Sequence, residues 1–212
     1  MTSNGRIVVI AGSSSEAGKA IASALQQSGA TVVALGSDEG RLQDVAAHAR
    51  FVCDLADGDA VAALALRIHD EVGAVDGLIH LVGGWRTGHD DEGWAWLESR
   101  LLATLRHTTS AFRDDLASSP AGRLAIVSST SVDRPTWSNA NYAAAKGAAE
   151  AWVGAVASGW AKAGTAAAVT FVVRAIGTNE GYTSVDTLAH HMTDLWKAPV
   201  AEINGARIRL HS

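Results

Sequence analysis

The sequence contains little cysteine and little proline, and its net charge is small. Its 212 residues include a single cysteine, Cys53, so an internal disulfide is excluded and a reducing, cytoplasmic location is expected. There are only three prolines, and no linker-like or repeated stretch divides the chain, which predicts one domain over residues 1–212. The net charge of −5 offers no basic surface for nucleic acid or anionic lipid.

Long apolar runs are also absent. Residues 1–12 lead directly into a strand-like run without the apolar core of a signal peptide, and no stretch is long enough to cross a bilayer. The composition, 48% hydrophobic and 18% charged, is instead typical of a globular protein with a substantial core. We therefore expect neither a membrane nor nucleic acid as a partner.

Short apolar runs alternate with helical patterns along the whole chain. Residues 6–11 are continuously apolar and rich in β-branched side chains, which is typical of a strand buried on both faces. Further strands are predicted at 31–35, 51–55, 77–82, 123–128, 166–173 and 206–210, and helices at 19–28, 38–50, 57–72, 92–116, 139–162 and 183–196. This alternation predicts an α/β fold, a doubly wound parallel sheet flanked by helices on both faces. Ligands bind such sheets at the carboxyl ends of the strands, where the strand order reverses.

A glycine-containing loop joins the first predicted strand to the first predicted helix. Gly12 and Gly18 bracket it, and residues 13–15 between them are all serine. A glycine here lets the backbone approach a phosphate, and the helix N-terminus offers free N–H groups and a positive dipole end. The loop therefore predicts a pyrophosphate site, although an ordinary βα turn would also use glycine. Glu16 would repel a pyrophosphate unless its carboxylate points to solvent.

Tyr142 and Lys146 lie four residues apart in a predicted helix, so their side chains share a face. An ammonium group favours the neighbouring phenolate, and we predict that Lys146 lowers the pKa of Tyr142 from its ordinary value of about 10. Such a tyrosine can exchange a proton with a carbonyl or alcohol oxygen. Ser129, at the end of a predicted strand, is expected to reach the same oxygen. The alternative is a half-buried tyrosine beside a solvated lysine, because this spacing is common by chance.

The histidines predict no metal site. There are eight of them, but they are scattered, and only His190 and His191 are close together. Adjacent residues on a helix point about 100° apart and do not form a chelating pair.

The seven tryptophans are many for a chain of this length. Trp94 and Trp96 lie on one long predicted helix, and Trp152 and Trp160 lie on the helix that carries Tyr142. Either core packing or a subunit interface explains these four, since aromatic residues are enriched at interfaces. Two other tryptophans are predicted, together with one serine, to border a substrate pocket for a flat or aromatic substrate; these residues are Trp85, Ser131 and Trp137.

Taken together, these motifs resemble the short-chain dehydrogenase/reductase family over nearly the whole chain. Residues 12–18, GSSSEAG, stand where the family has G-x-x-x-G-x-G, and residues 80–84, HLVGG, stand for its N-N-A-G. Ser129, Tyr142 and Lys146 follow the family order and spacing. The resemblance implies a Rossmann-type fold.

A smaller resemblance is local. Gly83-Gly84-Trp85 and the pair Lys146-Gly147 are similar to the dihydropteridine reductase branch.

The family resemblance implies an NAD(P)(H)-dependent oxidoreductase that acts on a carbonyl/alcohol or C=N group of a small-molecule substrate. Tyr142 would be the general acid or base, Lys146 would hold the nicotinamide ribose, and Ser129 would bind the substrate oxygen. Two alternatives remain on the same scaffold. One is a non-catalytic dinucleotide-binding or regulatory protein, and the other is a non-redox enzyme such as a dehydratase or cyclase.

The resemblance also implies a set of cofactor contacts, in which Asp54 meets the adenine. The implied cofactor-binding residues are Gly12, Ser14, Ser15, Ala17, Gly18, Gly36, Ser37, Asp54, Leu55, Val82, Gly83, Tyr142, Lys146, Ile176 and Thr178. NAD-preferring members carry an acid at the end of the second strand, where this chain has Gly36 followed by Ser37. We therefore predict NADP(H) in preference to NAD(H), with Arg41 as a candidate for the 2′-phosphate.

The chain departs from the family pattern at two places. The catalytic asparagine of the family falls by spacing on Leu101, which cannot hold the water of the usual proton relay. The P-G pair after the sixth strand is replaced by Ile176-Gly177-Thr178, and the substrate loop that follows is short, so the pocket is expected to be open or completed by another subunit. Because family members commonly assemble through two long helices, a homodimer or homotetramer is predicted through 92–116 and 139–162.

Overall fold

The computed structural model describes residues 3–210, which form a seven-stranded sheet with helices on both faces. The strands are β1 (Ile7–Ala11), β2 (Thr31–Gly36), β3 (Ala49–Val52), β4 (Gly77–His80), β5 (Arg123–Ser129), β6 (Ala167–Val173) and β7 (Arg207–Arg209). The helices are α1 (Glu16–Gln27), α2 (Glu39–Gln43), α3 (Gly58–Glu71), α4 (Asp91–Glu98), α5 (Thr104–Ser118), α6 (Ala140–Trp160), α7 (Val185–Asp194) and α8 (Val200–Ile203). Every strand pair is parallel, which confirms the predicted fold class.

The strand order is β3-β2-β1-β4-β5-β6-β7, so the direction of winding reverses between β1 and β4. A crevice is expected at that reversal, because the connections from β1 and β4 leave toward opposite faces of the sheet. The glycine loop leaves the sheet from β1 at this point, and the segment after β4 leaves beside it.

Two apolar clusters cover the faces of the sheet. On one face α1 and α7 pack through side chains such as Ile21 and Leu188, and on the other α3, α5 and α6 pack through Ile68, Phe112 and Val153. All five side chains are almost completely buried. The strands between these layers are therefore apolar on both sides, which explains their continuous hydrophobic runs. Within residues 3–210, none of the helices has both the length and the apolar character needed to span a membrane.

The predicted helix at 38–50 is wrong in its second half. The helix α2 ends at Gln43, and β3 already begins at Ala49. The intervening turn is held by side chains: His48 Nδ1 accepts a hydrogen bond from the Val32 amide, at 3.0 Å, and Arg50 donates to the Val45 carbonyl, at 2.6 Å. These contacts join residues that are distant in sequence or unrelated by helical spacing, so periodicity did not reveal them.

Two predicted helix ends are confirmed. The Asp57 carboxylate caps α3 by accepting hydrogen bonds from the amides of Asp59 and Ala60, at 3.0 and 3.1 Å. Gly29 follows α1 with φ of +87°, a left-handed conformation that favours glycine.

The long helix predicted at 92–116 is interrupted by a π-helical turn over Ser99–Ala103. In this turn the Thr104 amide bonds to the Ser99 carbonyl, one residue further back than in an α-helix. The Arg100 carbonyl is satisfied instead by the Thr104 hydroxyl, which donates to it at 2.6 Å. The extra residue changes the direction in which the side chains of this segment point, and it does so beside the site described next.

Candidate active site

Two cavities lie next to each other along the carboxyl edge of the sheet. The first, the Tyr142 cavity, has a volume of about 390 Å³, and Ser129, Tyr142 and Lys146 all contribute to its lining. The second, the glycine-loop cavity, has a volume of about 510 Å³ and includes Gly12 and Asp54. Four residues line both cavities and join them into one crevice at the strand reversal; they are Ser15, Leu81, Val82 and Gly83.

The glycine loop is shaped by close backbone contacts. Gly12 has φ of +78°, and a Cβ atom there would lie 2.8 Å from the Val82 amide nitrogen. A Cβ atom on Gly18 would lie 2.4 Å from the Ser13 carbonyl oxygen. Ser13 itself is buried, and its hydroxyl donates to the Leu35 carbonyl at 3.0 Å. Both glycines are therefore required by the packing of the loop against β2, β4 and α1.

The first turn of α1 opens toward the crevice. The Ser15 hydroxyl caps the helix by accepting a hydrogen bond from the Gly18 amide at 3.0 Å. Ser15 and Ala17 line the Tyr142 cavity, which places the positive end of the helix dipole at the crevice. The Glu16 side chain is exposed, as the predicted pyrophosphate site requires.

Ser129, Tyr142 and Lys146 are brought together by β5 and α6. Ser129 is the last residue of β5; its side chain is buried, donates to the Ser131 hydroxyl at 3.2 Å, and lies close enough to the Tyr142 hydroxyl to oppose the rise in the pKa of the phenol. The Lys146 ammonium donates to the Val127 carbonyl at 2.8 Å, and Lys146 lines the same cavity as Tyr142. The predicted grouping of these three side chains in one site is therefore what the structure shows.

The predicted effect of Lys146 on Tyr142 is not what the structure shows. Burial raises the pKa of the Tyr142 phenol, and the hydrogen bond to Ser129 opposes this only in part. Burial also lowers the pKa of Lys146 to about 8, against a smaller opposing effect of Glu150. Lys146 therefore loses its proton before Tyr142 does, and no ammonium charge remains to stabilise the phenolate. The sequence pattern revealed the proximity but not the desolvation of both groups.

His80, which was not predicted as a site residue, lines the Tyr142 cavity at the end of β4. It is 4% exposed, and its Nε2 lies 3.2 Å from the Thr104 hydroxyl. That hydroxyl already donates to the Arg100 carbonyl, so the bonding pattern assigns the proton to His80 Nε2. Burial, followed by the charge of Lys146, lowers the pKa of His80 to about 3, and the ring is neutral at physiological pH. His80 could have been predicted as a site residue, because it is a polar residue at the end of an otherwise apolar strand.

Leu101 occupies the place of the family asparagine within the π-helical turn. It is 3% exposed and packs in a small apolar cluster with Leu97, Trp96, Ala145 and the Tyr142 ring. This side of the tyrosine is therefore closed by hydrocarbon, and Leu101 offers no group to bind a water molecule.

Most of the predicted cofactor residues line one of the two cavities, and two do not. Gly18 acts through its contact with Ser13, and Thr178 lies exposed in the loop after β6. Those that line a cavity are Gly12, Ser14, Ser15, Ala17, Gly36, Ser37, Asp54, Leu55, Val82, Gly83, Tyr142, Lys146 and Ile176. The loop itself is short, and Ile176 and Thr183 form a bridge across it.

The three predicted pocket residues, in contrast to the prediction, lie outside both cavities. Trp85 and Trp137 are 63% and 73% exposed, and Trp137 stacks on His89 with ring centroids 4.2 Å apart. Ser131 is turned toward Ser129, whose hydroxyl accepts a hydrogen bond from the Ser131 amide at 3.1 Å. Both tryptophans belong to loops at the rim, and sequence order alone did not show that these loops fold outward.

The two adjacent histidines of α7 point to different surroundings: His190 is exposed, and the partly buried His191 ring lies 5.9 Å from the ring of the buried Phe171. His190 pairs with Asp194 at 3.3 Å, and its ring meets that of His191 edge-on. Across residues 3–210, no group of three or more His, Cys, Asp or Glu side chains is arranged to hold a metal ion.

The family model of short chain dehydrogenases matches residues 6–194, and the chain belongs to this family of oxidoreductases. A 3beta-hydroxysteroid dehydrogenase from Mediterraneibacter gnavus is 30% identical over 172 residues, which cover 75% of this chain and 62% of the relative. A 3-oxoacyl-acyl-carrier-protein reductase from Vibrio harveyi is 28% identical over 156 residues, which cover 69% of this chain and 64% of the relative. The chain thus spans less than two thirds of the length of these two curated relatives.

Solved structures share the fold at low sequence identity. A gluconate 5-dehydrogenase from Burkholderia cenocepacia, in complex with NADP and tartrate, has a TM-score of 0.83 at 20% identity, with 98% of this chain and 94% of that chain covered. An NADPH-bound short-chain oxidoreductase from Pseudomonas aeruginosa with an atypical catalytic centre has a TM-score of 0.88 at 19% identity, with 97% and 95% covered. The predicted family and Rossmann-type fold are therefore confirmed.

Proposed function

We propose that the protein is an NAD(P)(H)-dependent oxidoreductase that acts on the carbonyl/alcohol or C=N group of a small molecule. The observation that carries this proposal is the convergence of Ser129, Tyr142 and Lys146 on one cavity that is continuous with the glycine-loop cavity. A nicotinamide dinucleotide supplies the hydride in this chemistry, and the chain supplies position, proton and charge.

The crevice fits a dinucleotide by its shape and its donors. Gly12 removes a Cβ atom that would meet the Val82 amide, and the first turn of α1 presents its N-terminus beside Ser14 and Ser15. These groups would hold the pyrophosphate. Asp54, at the far end of the glycine-loop cavity, would meet the adenine, and Lys146 would hold the nicotinamide ribose.

The proton chemistry follows from Tyr142 and Ser129. Because burial raises its pKa, Tyr142 is a phenol at neutral pH and can donate a proton to a carbonyl oxygen that is being reduced. Ser129 lines the same cavity as this phenol and would bind the substrate oxygen from the end of β5. Lys146 lines the same cavity and carries a positive charge there below its pKa of about 8. This arrangement favours the direction of carbonyl reduction.

NADP(H) is the proposed cofactor in preference to NAD(H). Gly36, Ser37 and Arg41 line the end of the glycine-loop cavity where a 2′-phosphate would lie. The nearest acid, Asp38, accepts a hydrogen bond from the Arg41 amide at 2.9 Å as the cap of α2, so its carboxylate already has a partner. NADP and NADPH are also the dinucleotides in the two structural relatives named above.

A homodimer or homotetramer through α5 and α6 is the proposed assembly. Between these helices runs a groove of about 540 Å³ whose lining includes Trp152 and Thr109. The Trp152 Nε1 and Thr109 Oγ1 atoms are buried and lack a hydrogen-bond partner within residues 3–210. Aromatic side chains such as Trp152 and Trp160, which also lines this groove, are enriched at subunit interfaces. The cytoplasmic location stays a prediction.

The test combines binding with turnover. Fluorescence titration with NADPH and NADH measures dinucleotide binding, and a panel of carbonyl compounds with NADPH measures activity. We expect NADPH to bind more tightly and Tyr142→Phe to abolish turnover while binding is retained. An Asp70→Asn variant, changed on the exposed face of α3 and outside both cavities and the α5/α6 groove, is the control. Turnover that survives Tyr142→Phe unchanged would contradict the proposal.

The second candidate is a non-catalytic dinucleotide-binding protein, favoured by Leu101 in place of the relay asparagine. It predicts NADPH binding with no turnover that depends on Tyr142. A non-redox enzyme on the same scaffold predicts product formation without cofactor consumption, and stoichiometric oxidation of NADPH excludes it.

A further inference from the structure

Arg174 stands next to the reactive end of the Tyr142 cavity. It directly follows β6, whose last residue Val173 is paired in register with Ser129 of β5. Neighbouring strands lie about 4.8 Å apart, so the Arg174 backbone begins one strand away from the serine and one residue beyond it. Arg174 lines the same cavity as Ser129 and Tyr142.

The Arg174 guanidinium has no anionic partner within the part of the chain that the structure describes, residues 3–210. Within residues 3–210 it forms neither an ion pair nor a side-chain hydrogen bond. Arg174 Cζ lies 5.9 Å from the centroid of the Tyr182 ring, and Nη1 lies beside Gly181, 3.3 Å from the position of an added Cβ atom there. Most other arginines near the sheet end are paired: Arg207 with Glu150 and Arg209 with Asp133. Stacking on an aromatic ring holds a guanidinium in place without neutralising it.

The only carboxylate lining this cavity is on the opposite side of the crevice. Glu16 begins α1, and the strand before it, β1, is separated from β6 by β4 and β5. Three strand spacings amount to roughly 14 Å, about twice the reach of an arginine side chain. The pyrophosphate site of the glycine loop is equally distant, whereas Ser129 is adjacent. Position therefore associates Arg174 with the substrate end of the site.

We propose that Arg174 binds a carboxylate on the substrate while the substrate carbonyl meets Ser129 and Tyr142. This proposal rests on the proposed function and gives it a substrate class, short anionic oxo acids or the corresponding hydroxy acids. The planar guanidinium matches a carboxylate with two parallel hydrogen bonds, which fixes the orientation of the substrate as well as its charge. Tyr182 acts as a positioning residue that keeps the guanidinium over the cavity.

The kinetic test compares short linear oxo acids with their methyl esters, using NADPH. We expect the acids to be preferred and Arg174→Gln to raise KM for the acids about 10- to 100-fold, with kcat changed little and the esters unaffected; this corresponds to the loss of a charge-assisted pair. Arg174→Lys should recover part of the affinity, and Tyr182→Leu should raise KM less. The matched control is Arg134→Gln, which removes an exposed arginine from a loop outside both cavities.

Three outcomes decide against the proposal or separate it from the proposed function. Equal use of acids and esters by the native protein, or an unchanged KM in Arg174→Gln, overturns the substrate class. A weaker NADPH affinity in Arg174→Gln, with the preference for acids intact, assigns the arginine to the cofactor pyrophosphate and also overturns it. If no carbonyl compound is turned over, the proposed function fails. Calorimetric titration of the NADPH-loaded protein with the oxo acids then still tests the role of Arg174. Loss of oxo-acid binding in Arg174→Gln supports the proposal, and equal binding by the native protein and the variant overturns it.

Discussion

The two cavities of the crevice are built by different physical means. The Tyr142 cavity is made of side chains taken out of water: burial shifts the pKa of Tyr142 upward and those of Lys146 and His80 downward. The glycine-loop cavity is made of backbone, with Gly12 in a left-handed conformation and exposed polar residues such as Asp54 at its rim.

This difference in construction shows how one edge of a sheet can provide both a site for proton transfer and a site for phosphate binding. A proton-transfer group needs a low-dielectric setting, because only there do neighbouring charges and dipoles act strongly on it. A phosphate site needs free amides and room for close approach, and exposed groups suffice around it. Changes in the first cavity should therefore alter rate and titration, and changes in the second should alter binding and packing.

The largest effect is expected from Lys146→Met. Loss of the Lys146 ammonium should reduce kcat for NADPH-dependent turnover roughly 10²- to 10³-fold, since it removes a positive charge from the Tyr142 cavity and a proposed contact to the nicotinamide ribose. Activity of the native protein should also fall as the pH rises through about 8, where Lys146 loses its proton. Lys162→Met, beyond the end of α6, is the control. Full activity in the Lys146 variant would contradict the expectation that changes in the Tyr142 cavity alter the rate of turnover.

Gly18→Ala should destabilise the protein by about 2–3 kcal/mol, because the new Cβ would lie 2.4 Å from the Ser13 carbonyl and the loop must shift. Dinucleotide affinity should fall with it. Gly154→Ala in α6 is the matched control: no atom lies within 4 Å of its added Cβ, and helix propensity should stabilise the fold by about 0.5–1 kcal/mol. Urea unfolding measures both; equal values would show that the loop does not require glycine.

His80→Gln should change how stability depends on pH. The folded pKa of about 3 lies below the ordinary 6.5, so between these values the unfolded chain binds a proton that the folded protein excludes. The free energy of unfolding must then decrease as the pH falls, by about 1.5 kcal/mol between pH 6.5 and 5 for this group. Thermal or urea unfolding at the two pH values should show a smaller decrease in the variant. Identical pH slopes would mean that His80 titrates normally.

Arg41→Gln should have the smallest effect of these changes, and only the affinity for NADPH should change. Its exposed guanidinium lines the glycine-loop cavity, with Nη2 3.5 Å from the Ser14 carbonyl. We expect NADPH affinity to fall about tenfold, about 1.4 kcal/mol, with NADH affinity unchanged. Titrations of the native protein and the variant with NADPH and with NADH measure the ratio of the two affinities. An equal loss of affinity for both dinucleotides would remove the basis for the proposed NADP(H) preference.

The fold was predictable because its signals are local and repeated. The β-branched run at Ile7–Ala11, the cap at Asp57 and the left-handed Gly29 each follow from chain-local rules. Ser129, Tyr142 and Lys146 could also be grouped in advance, since a strand end and one helix face bring them together. Even the π-helical turn left the helical spacing of its apolar residues recognisable.

Other features depended on contacts that only the folded chain makes. No sequence rule places His80 against Thr104, because this contact joins the end of β4 to the start of α5. Arg174 and Tyr182 meet only through the folding of the loop between β6 and α7. The position of Trp137 was equally unpredictable from the sequence, because it depends on the contact between its ring and that of His89 outside the crevice.

The amino-acid sequence by itself determined the alternating layers, the glycine loop and the positions of the reactive residues along the chain, because these depend on local periodicity and backbone conformation. The tertiary structure alone decided the ionisation of Tyr142, Lys146 and His80 and the closure of one side of the tyrosine by Leu101. The physical reason is that a pKa depends on how much water surrounds a group, and that is settled only when all the elements have packed together.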